Sequence, residues 1–330
     1  MSRVVLLLRL RGAAKSEADQ RRIEEALRAD CRAVLETAPN SEAAGVARDA
    51  LALIENRQVF PEPRPQCSKE AIAELGSAEE LFAVRRFQDS LAHYQKAAER
   101  CPDDPVVGTH YADAFFVLGN FAQARSLLEK TLVKNPWHAQ AHRFLSDTLE
   151  RLGLIDAAYH ETVLAVLSDP TYEAGWSSLR RKVVSRRGTW MRFAAAKPEV
   201  KAEPKQKIEI TVTLKEGPDS FAWNMYSVAK AGTWAPPAQG APVSPRTALE
   251  REREAIRTVF AAQKEKGLTA SPFWDMMARA DRAGFLDESI FVHLLDRDLL
   301  AEYRAFCDGS RDRLVRYVET ILAPLPPDSK

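Results

Sequence analysis

Pro102, Pro136 and Pro170 stand 34 residues apart, and the residues around them agree column by column. Small residues recur at Ala78, Ala112 and Ser146, and again at Ser90, Ala124 and Ala158. Large apolar ones recur at Leu81, Phe115 and Leu149, and at Phe87, Phe121 and Ile155. Gly119 and Gly153 close the first helix of the last two units, where Arg85 stands in the first. A chain that repeats at a fixed period puts each unit in the same environment, so the units must stack on one another. The columns say how. Ala or Ser at a helix crossing lets two backbones approach, large side chains fill the space beside it, and proline ends the second helix.

Period 34 with this small/large alternation resembles the tetratricopeptide repeat. That resemblance implies pairs of antiparallel helices in a right-handed solenoid, with three units and a capping helix over residues 71–185. Glu173-Ala174-Gly175-Trp176 begins like a fourth unit and then turns into RRKVVSRRG, the composition of a solvating cap.

The flanks read differently. Ile23, Leu27, Cys31, Val34 and Leu35 share one helical face, Pro39-Asn40 stops it, and Ser41 caps a second helix, so residues 1–58 read as a helical hairpin. Residues 59–70 carry Pro61, Pro63 and Pro65 and read as a linker. Residues 186–218 are a basic linker with one strand, where Ile208, Ile210, Val212 and Leu214 alternate. A lone strand needs a partner, and Thr189–Ala194 is the nearest, giving a small β-hairpin near 189–214. Whether strand 207–214 pairs there or with another protein stays open. Residues 219–325 return to helical patterns, including a hairpin with a Gly284-Phe285-Leu286 turn and small Ser289. The fold class is mainly α.

Composition narrows the function. With 28% charged and 45% hydrophobic residues the chain is neither disordered nor a membrane protein, and its net charge is +1. The N-terminal run Val4–Leu8 is broken by Arg9 and Arg11, too short for a secretory core. The four cysteines, Cys31, Cys67, Cys101 and Cys307, form no C-x-x-C pair, which argues against a zinc ribbon or disulfide framework and for a reducing, cytoplasmic setting. Phosphate-loop, dinucleotide, metalloprotease and nucleophile-elbow motifs are absent. His138 and His142 have metal-ligand spacing but no third ligand nearby in sequence, so no metal and no cofactor are expected. Cys307 and His293 form a conceivable dyad, weighed against a buried thiol and a surface imidazole.

The resemblance places binding on the first helix of each unit, which lines the inner groove. Glu79, Asp113 and Asp147 then form a column of carboxylates 34 residues apart, with Phe82, Phe116 and Glu150 three residues on and Thr109 and Arg143 one turn before. Chaperone-tail-binding members present a Lys, Asn and Arg clamp; here Leu75, Glu79, His110, Gln140 and Phe144 occupy those places. The opposing reading pairs Arg143 with Asp147 and leaves the acids as a solvated surface. Between Trp176 and Lys207 the local net charge is +8, leaving −7 on the remainder. Arg180, Arg181, Lys182, Arg186 and Arg187 are candidate anion contacts, or they dock on that acidic remainder.

The expected function is a non-catalytic adaptor or scaffold holding a basic and apolar peptide segment or a partner helix in the groove. The competing classes are an enzyme in the C-terminal helical domain, drawing on Glu250, Glu252, Asp275, Asp281 and Glu288, and a nucleic-acid-associated factor using residues 176–207.

Overall fold

The structure, a computed structural model, describes residues 65–193, 219–234, 246–268, 270–296 and 298–326. It also describes scattered positions between 22 and 47 and the short stretches 197–198, 200–203 and 209–212. The chain divides into two compact units, residues 1–182 and 183–329. The described positions from 22 to 34 are helical, with Leu27 and Cys31 buried; of the second helix read for the N-terminal hairpin the described position is Ala47, helical and buried, and the rest lies outside the described residues.

The first unit holds three helical hairpins: α1 (Lys69–Ala83) with α2 (Phe87–Arg100), α3 (Pro105–Val117) with α4 (Phe121–Lys134), and α5 (Ala139–Arg151) with α6 (Ile155–Ser168). α7 (Glu173–Ser185) follows, and the boundary between the two units falls within it. Each start is chemically marked. Ser68, Asp104, Asn120 and His138 accept a backbone N–H as N-caps, and Pro105 takes the first position of α3, where no N–H is needed.

The columns of the repeat do what their sizes require. Ala78, Ser90, Ala112, Ala124, Ser146 and Ala158 are all fully buried. Where Ser replaces Ala at the third crossing, its hydroxyl meets the Ala158 carbonyl and the Thr162 hydroxyl, both at 2.5 Å, so the polar atom does not go unmatched. The hairpin turns repeat down to the backbone bond. Gly119 and Gly153 sit at φ +80° and +76° and Arg85 at +65°, and residues 86, 120 and 154 each bond back to the carbonyl five residues earlier. This is the Schellman closure, whose left-handed residue is normally glycine. Arg85 keeps the turn despite its side chain. Gly284 at φ +79° and Phe285 repeat the same closure in the second unit, with Ser289 buried beyond it.

Asp169, after α6, turns the chain at Pro170. Its Oδ1 accepts from the Thr171 N–H (2.8 Å) and hydroxyl (2.6 Å), while burial pushes its pKa up to about 6. The folded state therefore holds a proton that the unfolded chain releases near its ordinary pKa of about 3.9, and stability falls as pH rises from about 4 to 6. Asp169→Asn keeps the accepting oxygen and removes the buried charge. It is expected to stabilise the first unit by about 1–2 kcal/mol at pH 7, after allowing for weaker amide bonds to Thr171, and to change little at pH 4. Urea unfolding at the two pH values checks this; equal effects at both would contradict it.

In the second unit, β1 (Val200–Glu203) pairs antiparallel with β2 (Glu209–Val212), Val200 opposite Val212. Of the strand read over 207–214 the described residues 209–212 are extended, and their partner is not Thr189–Ala194. Thr189 and Met191 instead donate backbone N–H groups to the Pro324 and Leu322 carbonyls near the C-terminal end. α8 (Ser220–Gly232), α9 (Ala248–Lys266), α10 (Pro272–Arg282), α11 (Leu286–Leu294) and α12 (Leu300–Tyr317) complete the unit, ending in a π-helical turn over Val318–Leu322. Thr247 and Glu250 cap α9 reciprocally. Trp223, Phe273 and Trp274 cluster with ring centroids 4.9–5.4 Å apart, and Tyr226, Ile256, Phe291, Tyr303 and Tyr317 are also fully buried in this unit. Among the described residues no helix is long and apolar enough to cross a membrane.

A candidate binding hollow between the repeat units

The first helices of the second and third units, α3 and α5, enclose a hollow of about 120 Å³ lined by Asp113, Phe116, Arg143, Phe144, Asp147 and Thr148, with Ala112 and Leu128 at its floor. Four of these residues belong to the set that the repeat register selects. What differs along the register is who already holds each carboxylate.

Glu79 is committed, to its own unit and to the next. It accepts from the Tyr94 hydroxyl at 2.5 Å and pairs with His110 Nδ1 at 2.7 Å. The His110 hydrogen bond holds its carboxyl below the ordinary range against the opposing push of burial. Two of the positions where a tail-binding clamp would stand are therefore tied to each other. Asp147 is committed too. It accepts from Arg143 at 2.8 Å, within the helix, and from Arg181 of α7 at 3.3 Å. Glu150 is gripped by Lys182, which also stands 3.8 Å from Asp147. Burial alone would raise the Glu150 pKa; the Lys182 ammonium outweighs it and holds the pKa below the ordinary value.

Asp113 is the exception. No hydrogen bond or ion pair reaches it among the described residues, and burial pushes its pKa up, with Arg143 only partly countering. A half-buried carboxylate without a donor carries a desolvation cost that a ligand's cation would relieve. Around it, Phe116 packs against Phe121 at 5.3 Å and Arg143 lies over the Phe144 ring at 4.1 Å while donating to the Tyr172 hydroxyl at 2.9 Å.

Other expected site residues stand elsewhere. Phe82 packs on Phe87 (4.9 Å) and Tyr94 (6.4 Å), as part of the first unit's core. Thr109 is fully buried, because the position one turn before Asp113 faces the helix crossing. Lys182 is 5% exposed and already pairs with Glu150, so it is withdrawn from the candidate anion contacts. Arg181 turns onto Asp147 and Glu150. Arg180 and Arg187 are exposed, and Arg186 is half-buried. Sequence reading missed Tyr172, while its alternative of basic residues docking on the acidic remainder is what Arg181 and Lys182 do, a contact that the 34-residue spacing between Asp147 and Arg181 signals.

His138 caps α5 by accepting from the Ala141 N–H, and both nitrogens of His142 are engaged, by Glu161 at 2.6 Å and the Pro136 carbonyl at 3.1 Å. In the second unit His293 meets the Tyr317 hydroxyl rather than Cys307, burial lowers its pKa to about 3, and burial pushes the Cys307 thiol up to about 12. That pair is the reverse of an activated dyad. The candidate acids disperse: Glu250 caps, Glu252 pairs with Lys230, Asp281 with Arg257 and Glu288 with Arg313, while Asp275 is exposed.

The cysteine expectation is overturned. Cys67 and Cys101 form a disulfide, with Cα atoms 5.4 Å apart, and the reducing setting inferred from unpaired cysteines loses its ground. The signal was present: 34 residues separate them, so they occupy one column of the repeat, just before Ser68 and Pro102.

The family model described as tetratricopeptide repeat matches residues 81–145. Similar solved structures include the first repeat domain of Spaghetti (RPAP3) bound to the HSP90 peptide SRMEEVD, at 21% identity and TM-score 0.34, covering 36% of this chain and 94% of that one. The second repeat domain of human RPAP3, in complex with the HSP70 peptide SGPTIEEVD, matches at 13% identity and TM-score 0.33, over 34% and 94%. The Sgt2 domain from Aspergillus fumigatus matches at 16% identity and TM-score 0.34, over 41% and 94%. The peptides named are ligands of those proteins.

Proposed function

We propose that this chain, which carries tetratricopeptide repeats, is a non-catalytic adaptor that takes a peptide segment or partner helix along the first helices of its repeats, reading it at the hollow around Asp113. The unpartnered carboxylate of Asp113 carries this reading, since its neighbours in the register are neutralised from within the chain. A ligand with one Lys or Arg between apolar residues suits the hollow: its cation meets Asp113, and its flanks cover Phe116 and Phe144. The committed Glu79–His110 pair stands where a clamp for a C-terminal carboxylate would need cations, so an acidic tail is not the proposed ligand. The inward turn of Arg181 and Lys182 favours this class over nucleic acid.

Because the apolar contact supplies most of the affinity, Phe116→Ala is expected to weaken a partner about tenfold or more from a micromolar starting point. Asp113→Asn is expected to weaken it up to about fivefold at low salt and hardly at high salt. Capture of partners with the full chain, followed by calorimetric titration of both variants at two ionic strengths, is the test. Wild-type binding by both variants with the fold intact would remove the hollow from the binding surface.

A further inference from the structure

The disulfide has a third member. Asp104 caps α3 through Oδ1, which accepts the Val106 N–H at 2.8 Å, and its Oδ2 lies 3.5 Å from Cys67 Sγ. Asp104 and Cys101 are 7% and 5% exposed, so both sit behind protein rather than in water. One ligand atom from each of Cys67, Cys101 and Asp104 falls within 4.8 Å of the other two. In the oxidised state this carboxylate oxygen faces two sulfurs that have no proton to give, and no other donor reaches it among the described residues. A nine-tenths-buried carboxyl oxygen aimed at groups that cannot donate is poorly matched, and a cation would satisfy it.

We propose that Cys67, Cys101 and Asp104 form a redox-gated site for a thiophilic divalent cation of the zinc type, open when the disulfide is reduced and closed when it is formed. Two thiolates and a carboxylate are ligands that zinc accepts, at about 2.3 Å to sulfur and 2.0–2.2 Å to oxygen, with water in the fourth position. Those bond lengths put neighbouring ligand atoms about 3.3–3.8 Å apart in a tetrahedron, within the 4.8 Å that bounds the three atoms, once the broken bond lets the two sulfurs move apart. Reduction breaks the sulfur–sulfur bond with two electrons and two protons, delivered by exchange with a dithiol that leaves as its own disulfide. The cation then displaces the two thiol protons, which leave to solvent. Cys67 ends the strap before α1, Cys101 ends α2, and Asp104 begins α3, so one cation would hold the two ends of the first repeat and the start of the second.

The test uses the full chain, metal-free, either reduced with a phosphine or left oxidised, and titrated with cobalt(II) as a spectroscopic stand-in for zinc. The reduced chain is expected to bind one equivalent with a thiolate-to-cobalt charge-transfer band, zinc to displace it, and the oxidised chain to show no band. Cys67→Ser is expected to abolish the band, which separates this site from Cys31 and Cys307. Asp104→Asn, which keeps the capping oxygen, is expected to weaken binding at least tenfold. Should the serine variant fail to fold, the reduced-against-oxidised comparison and the Asn variant still decide. The proposal is overturned by a reduced chain with no band, by a band that survives in Cys67→Ser or in the oxidised chain, or by an Asn variant that binds like wild type.

Discussion

Glu252→Gln is expected to cost the C-terminal unit about 3–5 kcal/mol, the loss that follows when one partner of a buried ion cluster is removed. Glu252 is 1% exposed and accepts from Lys230 and Lys197 through Oε1, each at 2.6 Å, and from the Tyr226 hydroxyl through Oε2, also at 2.6 Å. Asp296 completes the cluster, 2.6 Å from Lys197 and 4.0 Å from Lys230. Two ammoniums and two carboxylates balance. Burial would lower the Lys197 pKa, but Glu252 and Asp296 outweigh it and hold it above the ordinary value; at Lys230 burial wins and the pKa is lowered. An amide at 252 leaves one carboxylate for two cations, and Lys230 is the one that must shed its proton to stay inside. The unfolded chain then binds more protons than the folded one, so the variant's deficit should shrink as pH rises toward the ordinary lysine value of about 10.4. Pairing Glu252→Leu with Lys230→Met removes the mismatch and leaves Lys197 with Asp296; most of the loss should return. Urea unfolding of the wild type, Glu252→Leu, Lys230→Met and the pair reads the coupling. A single variant as stable as wild type would show that the cluster contributes nothing beyond filling space.

The repeat was legible because its evidence is redundant. Each crossing residue, Ala78, Ala112 and Ser146, is small and fully buried for one steric reason, and that reason recurs every 34 positions. The turns were legible for the same cause, down to Gly119 and Gly153 in the left-handed region, and Arg85 stood out as the place where the turn is kept without glycine. The binding register was read in part. It singles out Asp113, Phe116, Arg143 and Asp147, which line one hollow, yet it cannot weigh occupancy, because that depends on residues from other columns. His110 and Tyr94 hold Glu79, and Lys182 holds Glu150; each contact joins side chains whose separation only the packed helices make short. Thr109 shows the limit of counting turns: one step along the helix moves a residue from the lining to the crossing. The strand pairing failed for a related reason. A two-residue period names a strand but not its partner, and the partner Val200–Glu203 carries no alternation strong enough to compete with Thr189–Ala194 on paper. The C-terminal unit had no period to read, so its buried cluster, built from Lys197, Lys230, Glu252 and Asp296, was invisible as a unit.

Breaking the Cys67–Cys101 bond is expected to lower the stability of the N-terminal unit by about 3–4 kcal/mol. The bond spans 34 residues of chain and encloses α1 and α2, so its chief effect lies in the unfolded state, whose freedom it removes in proportion to the logarithm of loop length. Reduction, or the double replacement of both cysteines by alanine, should give the same loss. The effect should concentrate in the backbone amides of the first hairpin, which hydrogen exchange resolves from the rest. Unchanged exchange there on reduction would show that the hairpin needs no tether. The cation site connects to this number directly. A ligand that binds only the folded chain adds RT ln(1 + [L]/Kd), about 2.7 kcal/mol at a hundredfold excess over Kd, which is comparable to what the covalent bond supplied. The first repeat would then have two alternative closures of one loop, a sulfur–sulfur bond under oxidation and a bound cation under reduction, with the bare dithiol the least stable of the three. Ranked unfolding midpoints for oxidised, reduced, and reduced plus zinc samples should follow that order: reduced plus zinc falling level with reduced alone would leave the disulfide as a structural staple only.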